Sequence, residues 1–301
     1  MARSTQRNRL ADAVCAGLLA IVALGGPACR REPVGAAPGS AAGSGAGSAA
    51  TALPARIVSL TPSATEVVAA LGAAGELVGV DDYSTYPPAV ATLPKVGSFL
   101  APNLETIVTL HPTLVIVDDV HGQTAGALHD AGITTIECAV HDLPDVKAAL
   151  RAVGGALGRT AEADRVIADI DAALDAAAAQ RPAHHPRVLA VIDREAGGLG
   201  NLVAVGPGSW VDELLAVVGG DNVLSASVVR YPKISLEEVL RGQPDVILDL
   251  SYPGRTEIAS WSALAVPAVT THRVVALADS YLVAPSPRVR AALDTLARAL
   301  R

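Results

Sequence analysis

The stretch NLETIVTLHPTLVIV, residues 103–117, aligns without a gap to SLEEVLRGQPDVILD, residues 235–249. Each copy has a helix-capping residue, a Leu, a Glu, a short helical segment, a proline and an apolar run typical of a buried strand. Glu105 and Glu237 occupy the same position, in the first turn of each predicted helix. The chain is therefore built from two related halves that each carry one matched acid.

Two interpretations of the matched acids are open at this point. A carboxylate in the first turn of a helix is stabilised by the helix dipole by roughly 0.3–1 kcal/mol, which is a purely structural role. Two like lobes that each present one acid are also well shaped to dock on a partner with two like subunits.

Strands and helices alternate in both halves, which predicts an α/β fold with parallel sheets. The first half has predicted strands at 56–60, 77–80, 114–117 and 134–136, and the second half has them at 187–192, 245–250 and 273–277. A capping box of Ser63 and Glu66 would open the first helix, which ends near Gly72. The other predicted helices are 123–131, 209–218, 236–242 and 288–300.

A longer helix is predicted between the two halves. Thr160 is a plausible N-cap, apolar residues keep helical spacing from Val166 to Leu174, and Pro182 ends the segment. Twenty residues in this conformation make a rod of about 30 Å.

The N-terminus is typical of an export signal. Arginines precede an apolar run of about twelve residues, too short to span a membrane, and small residues lead to Cys29. Residues 1–28 are therefore predicted to be a signal peptide and Cys29 to be lipidated, although an ordinary signal cut near Ala28 is the alternative. Residues 29–54 form a Gly/Ala/Ser-rich tether with a reach of roughly 25 Å. We expect an exported protein, periplasmic or at the cell surface, held to the membrane by a lipid anchor.

Composition excludes several classes of function. The chain has 301 residues, a formal net charge of -7 and 50% hydrophobic residues, so it can build a large core. An acidic chain of this kind is not expected to bind nucleic acid. Aromatic residues make up only 3% of the sequence, so their positions are informative.

The ordered motifs resemble those of the substrate-binding proteins of ABC importers for cobalamin and iron–siderophores. The resemblance covers residues 55–301, and the cobalamin receptors are the members it resembles most. The stretches that carry it are RIVSLTPSATE (56–66), YSTYPP (83–88), NLE (103–105), HP (111–112), GSWVDELL (208–215), GGDN (219–222), ISLE (234–237) and SPR (286–288).

The resemblance implies two Rossmann-like α/β lobes, residues 55–158 and 182–301, joined by one rigid backbone helix over 159–181. It further implies a ligand in the cleft between the lobes. In that family each lobe has a Glu that pairs with arginines of the permease, and by position these are Glu105 and Glu237. The partners implied are therefore the permease subunits of an ABC importer, and we expect the receptor to be a monomer.

Five of the few aromatic residues lie in loops predicted to face the cleft. Ligands of α/β sheets bind beyond the carboxyl ends of the strands, and each aromatic ring can bury 150–250 Å² against a flat ligand. With one acid at a strand end, the predicted ligand-binding residues are Tyr83, Phe99, Asp118, Tyr231, Tyr252 and Tyr281. Trp210 and Trp261 are assigned to packing.

A corrinoid is the first choice of ligand, with a ferric siderophore or haem as the alternative. Asp118 and Asp119 stand about where the cobalamin receptors have a cleft tryptophan, and acids there suit a cationic ligand or a metal. An anionic siderophore or haem propionates could instead meet Arg194, Arg230 or Arg288.

Two other classes receive little support. A direct metal receptor needs three or four ligands, and no tight spacing links the candidates, so we predict no metal site and no cofactor besides the transported metal chelate. These candidates are Asp118, Asp119, His121, His141, Asp193 and Asp279. Neither a nucleophile elbow nor a phosphate-binding loop is present, so we expect a binding protein and not an enzyme.

Overall fold

The computed structural model describes residues 55–251 and 258–301. The predicted signal peptide, the tether, Cys29 and Tyr252 lie outside the described residues. The first lobe has the elements β1 (Ile57–Ser59), α1 (Pro62–Ala70), β2 (Leu77–Val80), β3 (Gly97–Ser98), β4 (Ala101–Pro102), α2 (Leu104–Thr109), β5 (Leu114–Val117), α3 (Gly122–Asp130), β6 (Thr135–Glu137) and α4 (Leu143–Ala156).

A single long helix, α5 (Thr160–Ala179), leads to the second lobe. The elements of that lobe are β7 (Arg187–Asp193), β8 (Leu202–Ala204), α6 (Trp210–Val218), β9 (Asp221–Asn222), β10 (Lys233–Ile234), α7 (Leu236–Gly242), β11 (Val246–Asp249), α8 (Pro267–Thr270), β12 (Val274–Ala276), α9 (Ser280–Val283) and α10 (Val289–Ala299). The predicted two-lobed α/β architecture is confirmed.

Each lobe is organised around its own sheet. The first sheet has the strand order β2-β1-β5-β6 and is parallel throughout. The second has the order β10-β8-β7-β11-β12, in which β7, β11 and β12 are parallel and β8 and β10 run antiparallel. The central strands β5 and β11 are buried along their whole length, as expected for parallel strands covered on both faces.

The repeat seen in the sequence is also a repeat in conformation. In each copy a polar residue caps the helix, Asn103 for α2 and Ser235 for α7, by accepting a hydrogen bond from the amide three residues on. Each helix is then followed by a residue with positive φ immediately before the proline, His111 at 48° and Gln243 at 41°. A left-handed residue ends a helix, and the proline prevents its continuation.

The long helix α5 packs against both lobes. It buries Ala163, Ile167, Ile170 and Ala173 on one face. That face contacts α4 of the first lobe and α6 and α10 of the second. The helix begins one residue earlier than expected, because Arg159 is the N-cap and Thr160 is already helical.

The predicted capping box of α1 is wrong. The N-cap is Thr61, whose hydroxyl accepts a hydrogen bond from the Ala64 amide at 3.0 Å. Pro62 takes the first helical position, where its fixed φ is favourable and its missing N–H costs nothing. Glu66 is not used as a cap, because its carboxylate forms an ion pair with Arg288.

The two tryptophans are packing residues, as predicted. Trp210 is 1% exposed, and its indole N–H donates to the Tyr281 carbonyl at 2.9 Å. Trp261 is fully buried and donates to the Asp249 carboxylate at 3.0 Å. Their burial leaves the tyrosines and Phe99 as the aromatic residues that can meet a ligand.

Candidate ligand cleft

Loops at the carboxyl ends of the parallel strands expose large apolar side chains. In open α/β sheets this edge is where ligands bind. Tyr83 and Tyr86 follow β2 and are 53% and 42% exposed. Further exposed apolar residues lie in other connections and in α9, and they are Leu100, Val120, Val228, Val229, Tyr231, Ile258 and Val283.

One contact between the lobes is an ion pair held between aromatic rings. Arg288 precedes α10 in the second lobe, and its guanidinium donates two hydrogen bonds to the carboxylate of Glu66 on α1 of the first lobe. The same guanidinium lies over the Tyr86 ring at 4.0 Å and over the Tyr281 ring at 4.8 Å. The two lobes are thus joined through Arg288.

A second contact joins the lobes at α4 and α6. The Leu143 amide of the first lobe donates to the Glu213 carboxylate of the second lobe at 2.8 Å. Burial raises the pKa of Glu213, whereas the hydrogen bond from Leu143 and, to a smaller extent, the nearby charge of Arg230 lower it. Arg230 therefore lies near this contact between the lobes.

A buried polar network holds the loop that carries Tyr83. The Asp81 carboxylate accepts from the Tyr83 amide at 2.9 Å and from the Ser84 hydroxyl. The Lys95 ammonium donates to the Ser84 carbonyl at 2.7 Å. Burial raises the pKa of Asp81, against the effect of these hydrogen bonds. The Tyr83 ring is thus presented from a backbone that is fixed on its inner side.

Phe99 and Asp118 lie together through His121. The His121 ring bonds to the Phe99 carbonyl through Nε2 at 2.6 Å and accepts from the Asp118 amide through Nδ1 at 2.9 Å. The Phe99 ring meets the His121 ring edge-on at 5.4 Å. Because both ring nitrogens of His121 are used in this way, the residue is structural and not a candidate metal ligand.

Beside this cluster the side chain of Asp118 converges with two further polar side chains, those of Asp119 and His141. Asp118 and Asp119 follow β5, and His141 precedes α4. Their ligand atoms all lie within 4.8 Å of one another, with 3.3 Å between His141 Nε2 and Asp119 Oδ2. Asp118 is 7% exposed, whereas Asp119 and His141 are about half exposed. Burial, reinforced by Asp119, raises the pKa of Asp118 to about 6. The hydrogen bond with Asp118 lowers the pKa of Asp119.

Because the pKa of Asp118 is raised, we expect the free energy of unfolding to decrease as the pH rises. Between about pH 4 and pH 6 the folded protein binds a proton at Asp118 that the unfolded chain releases. The free energy of unfolding should therefore decrease by about 1 kcal/mol between pH 5 and pH 7 through this residue. Urea unfolding at both pH values measures the decrease, and Asp118→Asn should lack it. Parallel pH profiles for the two proteins would contradict the assignment.

The remaining predicted binding residues fall in different surroundings. Tyr231 is 38% exposed, and burial raises the pKa of its phenol. The sequence predicts Tyr281 in a loop, but it lies in the short helix α9. Its hydroxyl lies 3.1 Å from the Thr295 hydroxyl, and Arg288 covers its ring. Tyr281 therefore packs against the arginine of the interlobe ion pair.

The matched acids are exposed on both lobes. Glu105 and Glu237 are each the second residue of a helix, α2 and α7. Exposed apolar side chains flank each acid at the same spacing, Leu104 and Val108 in the first lobe and Leu236 and Leu240 in the second. Sequence reasoning missed these apolar partners, although the aligned repeat contains the signal. We call each set of three residues a docking patch.

The family model described as periplasmic binding protein matches residues 57–281. The chain belongs to this family. This chain is 28% identical over 255 residues to the vitamin B12-binding protein of Vibrio cholerae. The aligned region covers 82% of this chain and 89% of that protein.

Solved structures are similar as well. The periplasmic haem-binding protein RhuT from Roseiflexus sp. RS-1 in apo form has a TM-score of 0.73 and 32% identity to this chain, over 82% of this chain and 97% of that one. The crystal structure of the periplasmic vitamin B12-binding protein BtuF of Vibrio cholerae has a TM-score of 0.64 and 27% identity, over 82% and 97% of the two chains.

The relatives named here are binding proteins, and they include receptors for both vitamin B12 and haem. This agrees with the resemblance seen in the sequence. Within residues 55–251 and 258–301, none of the helices combines the length and the apolar character that crossing a bilayer requires.

Two of the three arginines that the sequence suggests for an anionic ligand are paired inside this periplasmic binding protein. Arg194 is 1% exposed, and its guanidinium donates to the Asp249 carboxylate at 2.8 Å and to the Gly198 carbonyl at 2.7 Å. It cannot meet an anionic ligand, so that expectation is wrong. Arg288 is committed to Glu66, and among the three arginines considered Arg230 is the one classed as exposed.

Proposed function

We propose that the protein is the extracytoplasmic receptor of an ABC importer, which binds a corrinoid between its lobes and delivers it to the permease. The observation that carries this proposal is the combination of exposed tyrosines with the internal pairing of two of the three candidate arginines. Tyr83 and Tyr231 have exposed rings in segments predicted to face the cleft, while Arg194 and Arg288 form ion pairs inside the protein.

The pairing of Arg194 and Arg288, which leaves Arg230 as the exposed candidate for an anionic group, favours a corrinoid over an anionic ligand. A corrinoid is a large, nearly flat ring with amide groups at its periphery, so it needs aromatic surface and hydrogen-bonding partners more than it needs cations. Haem propionates and many siderophores are anionic, and they would meet the carboxylates of Asp118 and Asp119 on the wall of the cleft. Like charges brought together in this way disfavour binding.

Haem is the second candidate because the cleft offers axial ligands. Haem iron is held in proteins by histidine or tyrosine among other residues. His141 and Tyr83 both have exposed side chains near the strand ends of the first lobe. The relatives that bind haem support this alternative.

Docking on the permease is proposed through the two docking patches. Each patch places a carboxylate between two exposed aliphatic side chains, at the same helical position in each lobe. A carboxylate within an apolar surround pairs more strongly with an incoming cation once water is displaced. Two equivalent patches fit two equivalent permease subunits. The receptor is further proposed to be exported by residues 1–28 and anchored through Cys29.

Titration of the purified protein with cyanocobalamin, haemin and several ferric siderophores tests the ligand. We expect cyanocobalamin to bind one-to-one and to raise the melting temperature by mass action. Tyr83→Ala should weaken this binding by roughly 30-fold, since an aromatic residue at the centre of a binding site contributes about 2 kcal/mol.

Leu236→Ala is the matched control, because it also truncates an exposed apolar residue but lies in a docking patch. It should leave the affinity for cyanocobalamin unchanged. A haemin complex with a shifted Soret band, in a protein that does not bind cyanocobalamin, would overturn the corrinoid assignment and support haem.

A further inference from the structure

We propose that Asp118, Asp119 and His141 form a binding site for a divalent first-row transition-metal ion such as Zn²⁺ on the first-lobe wall of the cleft. The three side chains come from two different strand ends and meet with all their ligand atoms within 4.8 Å of one another. The inference rests on this geometry and does not depend on which ligand the cleft transports.

The buried carboxylate of Asp118 faces a second carboxylate. It is 7% exposed, and it caps the turn at 119–121 by accepting hydrogen bonds from the His121 amide and, at 3.5 Å, from the Val120 amide. Good N–H···O bonds are 2.7–3.2 Å. The neighbouring acceptor is a second carboxylate, Asp119, so the pair needs a shared proton or a cation between its oxygens.

The chemistry of the donors points to a transition metal. Carboxylate oxygens alone would suit Ca²⁺ or Mg²⁺, whereas an imidazole nitrogen favours Zn²⁺ and its neighbours in the first row. His141 is positioned for this role, because its own amide donates to Asp145 at 3.0 Å and its ring faces Asp119. Three protein ligands leave a coordination position open, which a donor atom of a cleft ligand or water can fill.

The site cannot be recognised from the sequence, because its residues are not close along the chain. Asp119 and His141 are separated by α3 and β6, so no ligand spacing links them. The parallel arrangement of β5 and β6 brings the ends of the two strands to the same edge of the sheet. The other histidine at that edge, His121, is occupied by Phe99 and the Asp118 amide.

Titration of the chelator-treated, untagged protein with Zn²⁺ and with Co²⁺ tests the site. We expect saturable one-to-one binding by calorimetry, and a Co²⁺ visible spectrum typical of nitrogen and oxygen ligands. His141→Ala and Asp119→Asn should each weaken Zn²⁺ binding at least about tenfold. Both side chains are about half exposed, so the metal-free variants should melt at the temperature of the metal-free parent.

His185→Ala is the matched control. His185 also faces a carboxylate, with 3.6 Å to Asp221, but this pair belongs to no three-residue group among the described residues. Its loss should leave Zn²⁺ binding unchanged. Absence of saturable binding, equal weakening in the control, or unchanged Zn²⁺ affinity in His141→Ala would each overturn the proposal. Failure of cyanocobalamin to bind would leave it standing, since the probe here is the metal alone.

Discussion

A receptor carrying both Glu105→Arg and Glu237→Arg is expected to support no ligand uptake above that of cells lacking the receptor, while binding its ligand with unchanged affinity. Each reversal replaces attraction to a basic group on the permease with repulsion, and like charges opposed at an interface cost several kcal/mol. The two acids lie on different lobes, so each single reversal should leave one patch intact and give intermediate uptake. Uptake of labelled cobalamin by cells and calorimetry on the purified variants measure the two quantities separately.

The control for this experiment changes the net charge by the same amount elsewhere. Asp164 and Asp175 are exposed on the long helix α5, away from both docking patches. Asp164→Arg combined with Asp175→Arg should leave uptake and affinity close to those of the parent. If the control loses uptake as well, general charge and not docking explains the effect. If the reversal at Glu105 and Glu237 instead lowers ligand affinity, the docking role is wrong.

Helices and strands with local signals could be predicted from the sequence. The apolar runs at 114–117 and 245–250 become β5 and β11, because a parallel strand covered on both faces needs continuous apolar residues. The Ala, Ile and Leu spacing between residues 160 and 180 becomes α5. The equivalence of Glu105 and Glu237 follows from the aligned repeat and holds in three dimensions.

Features that depend on distant residues could not be predicted. The antiparallel strands β8 and β10 are two or three residues long, which is too short for an alternation of apolar and polar residues to be recognised. They are stabilised by hydrogen bonds to each other. The sequence predicts Glu66 in a capping box because nothing local indicates its partner Arg288, which is 222 residues away. The helix α4 is a different case, because it is not among the predicted helices although its signals are local: Asp142 caps it, and Leu143, Val146 and Leu150 keep helical spacing.

In the candidate cleft, too, local signals in the sequence are predictable and contacts between distant residues are not. The sequence predicts Tyr83 and Asp118 as binding residues because each follows the end of a predicted strand, where ligands of this fold class bind. Tyr86 was missed as a functional residue, because its importance comes from the guanidinium of Arg288 that lies on its ring. Arg194 was misjudged because nothing local in the sequence indicates that Asp249 lies beside it.

Removal of Arg288 is expected to lower the free energy of unfolding more than removal of a surface ion pair. Arg288→Ala leaves Glu66, whose side chain is 6% exposed, without its partner, and breaking such a pair costs about 3 kcal/mol. In a domain of this size that loss lowers Tm by roughly 6–12 °C. Asp171→Ala is the matched control, because its ion pair with Lys147 also joins two elements but is 52% exposed on the Asp side, and exposed pairs contribute about 1 kcal/mol or less.

A double-mutant cycle separates the ion pair from the packing of the Arg288 side chain against the Tyr86 and Tyr281 rings. Arg288→Met keeps an apolar stem against the rings but leaves Glu66 uncompensated, whereas adding Glu66→Gln removes the charge that needed a partner. The double variant should therefore be less destabilised than the sum of the two single variants in urea unfolding. Additive effects would mean that the charges do not stabilise the fold and that the aromatic contacts do. Because Glu66 belongs to the first lobe and Arg288 to the second, the coupling energy measures how strongly the ion pair holds the two walls of the cleft in place.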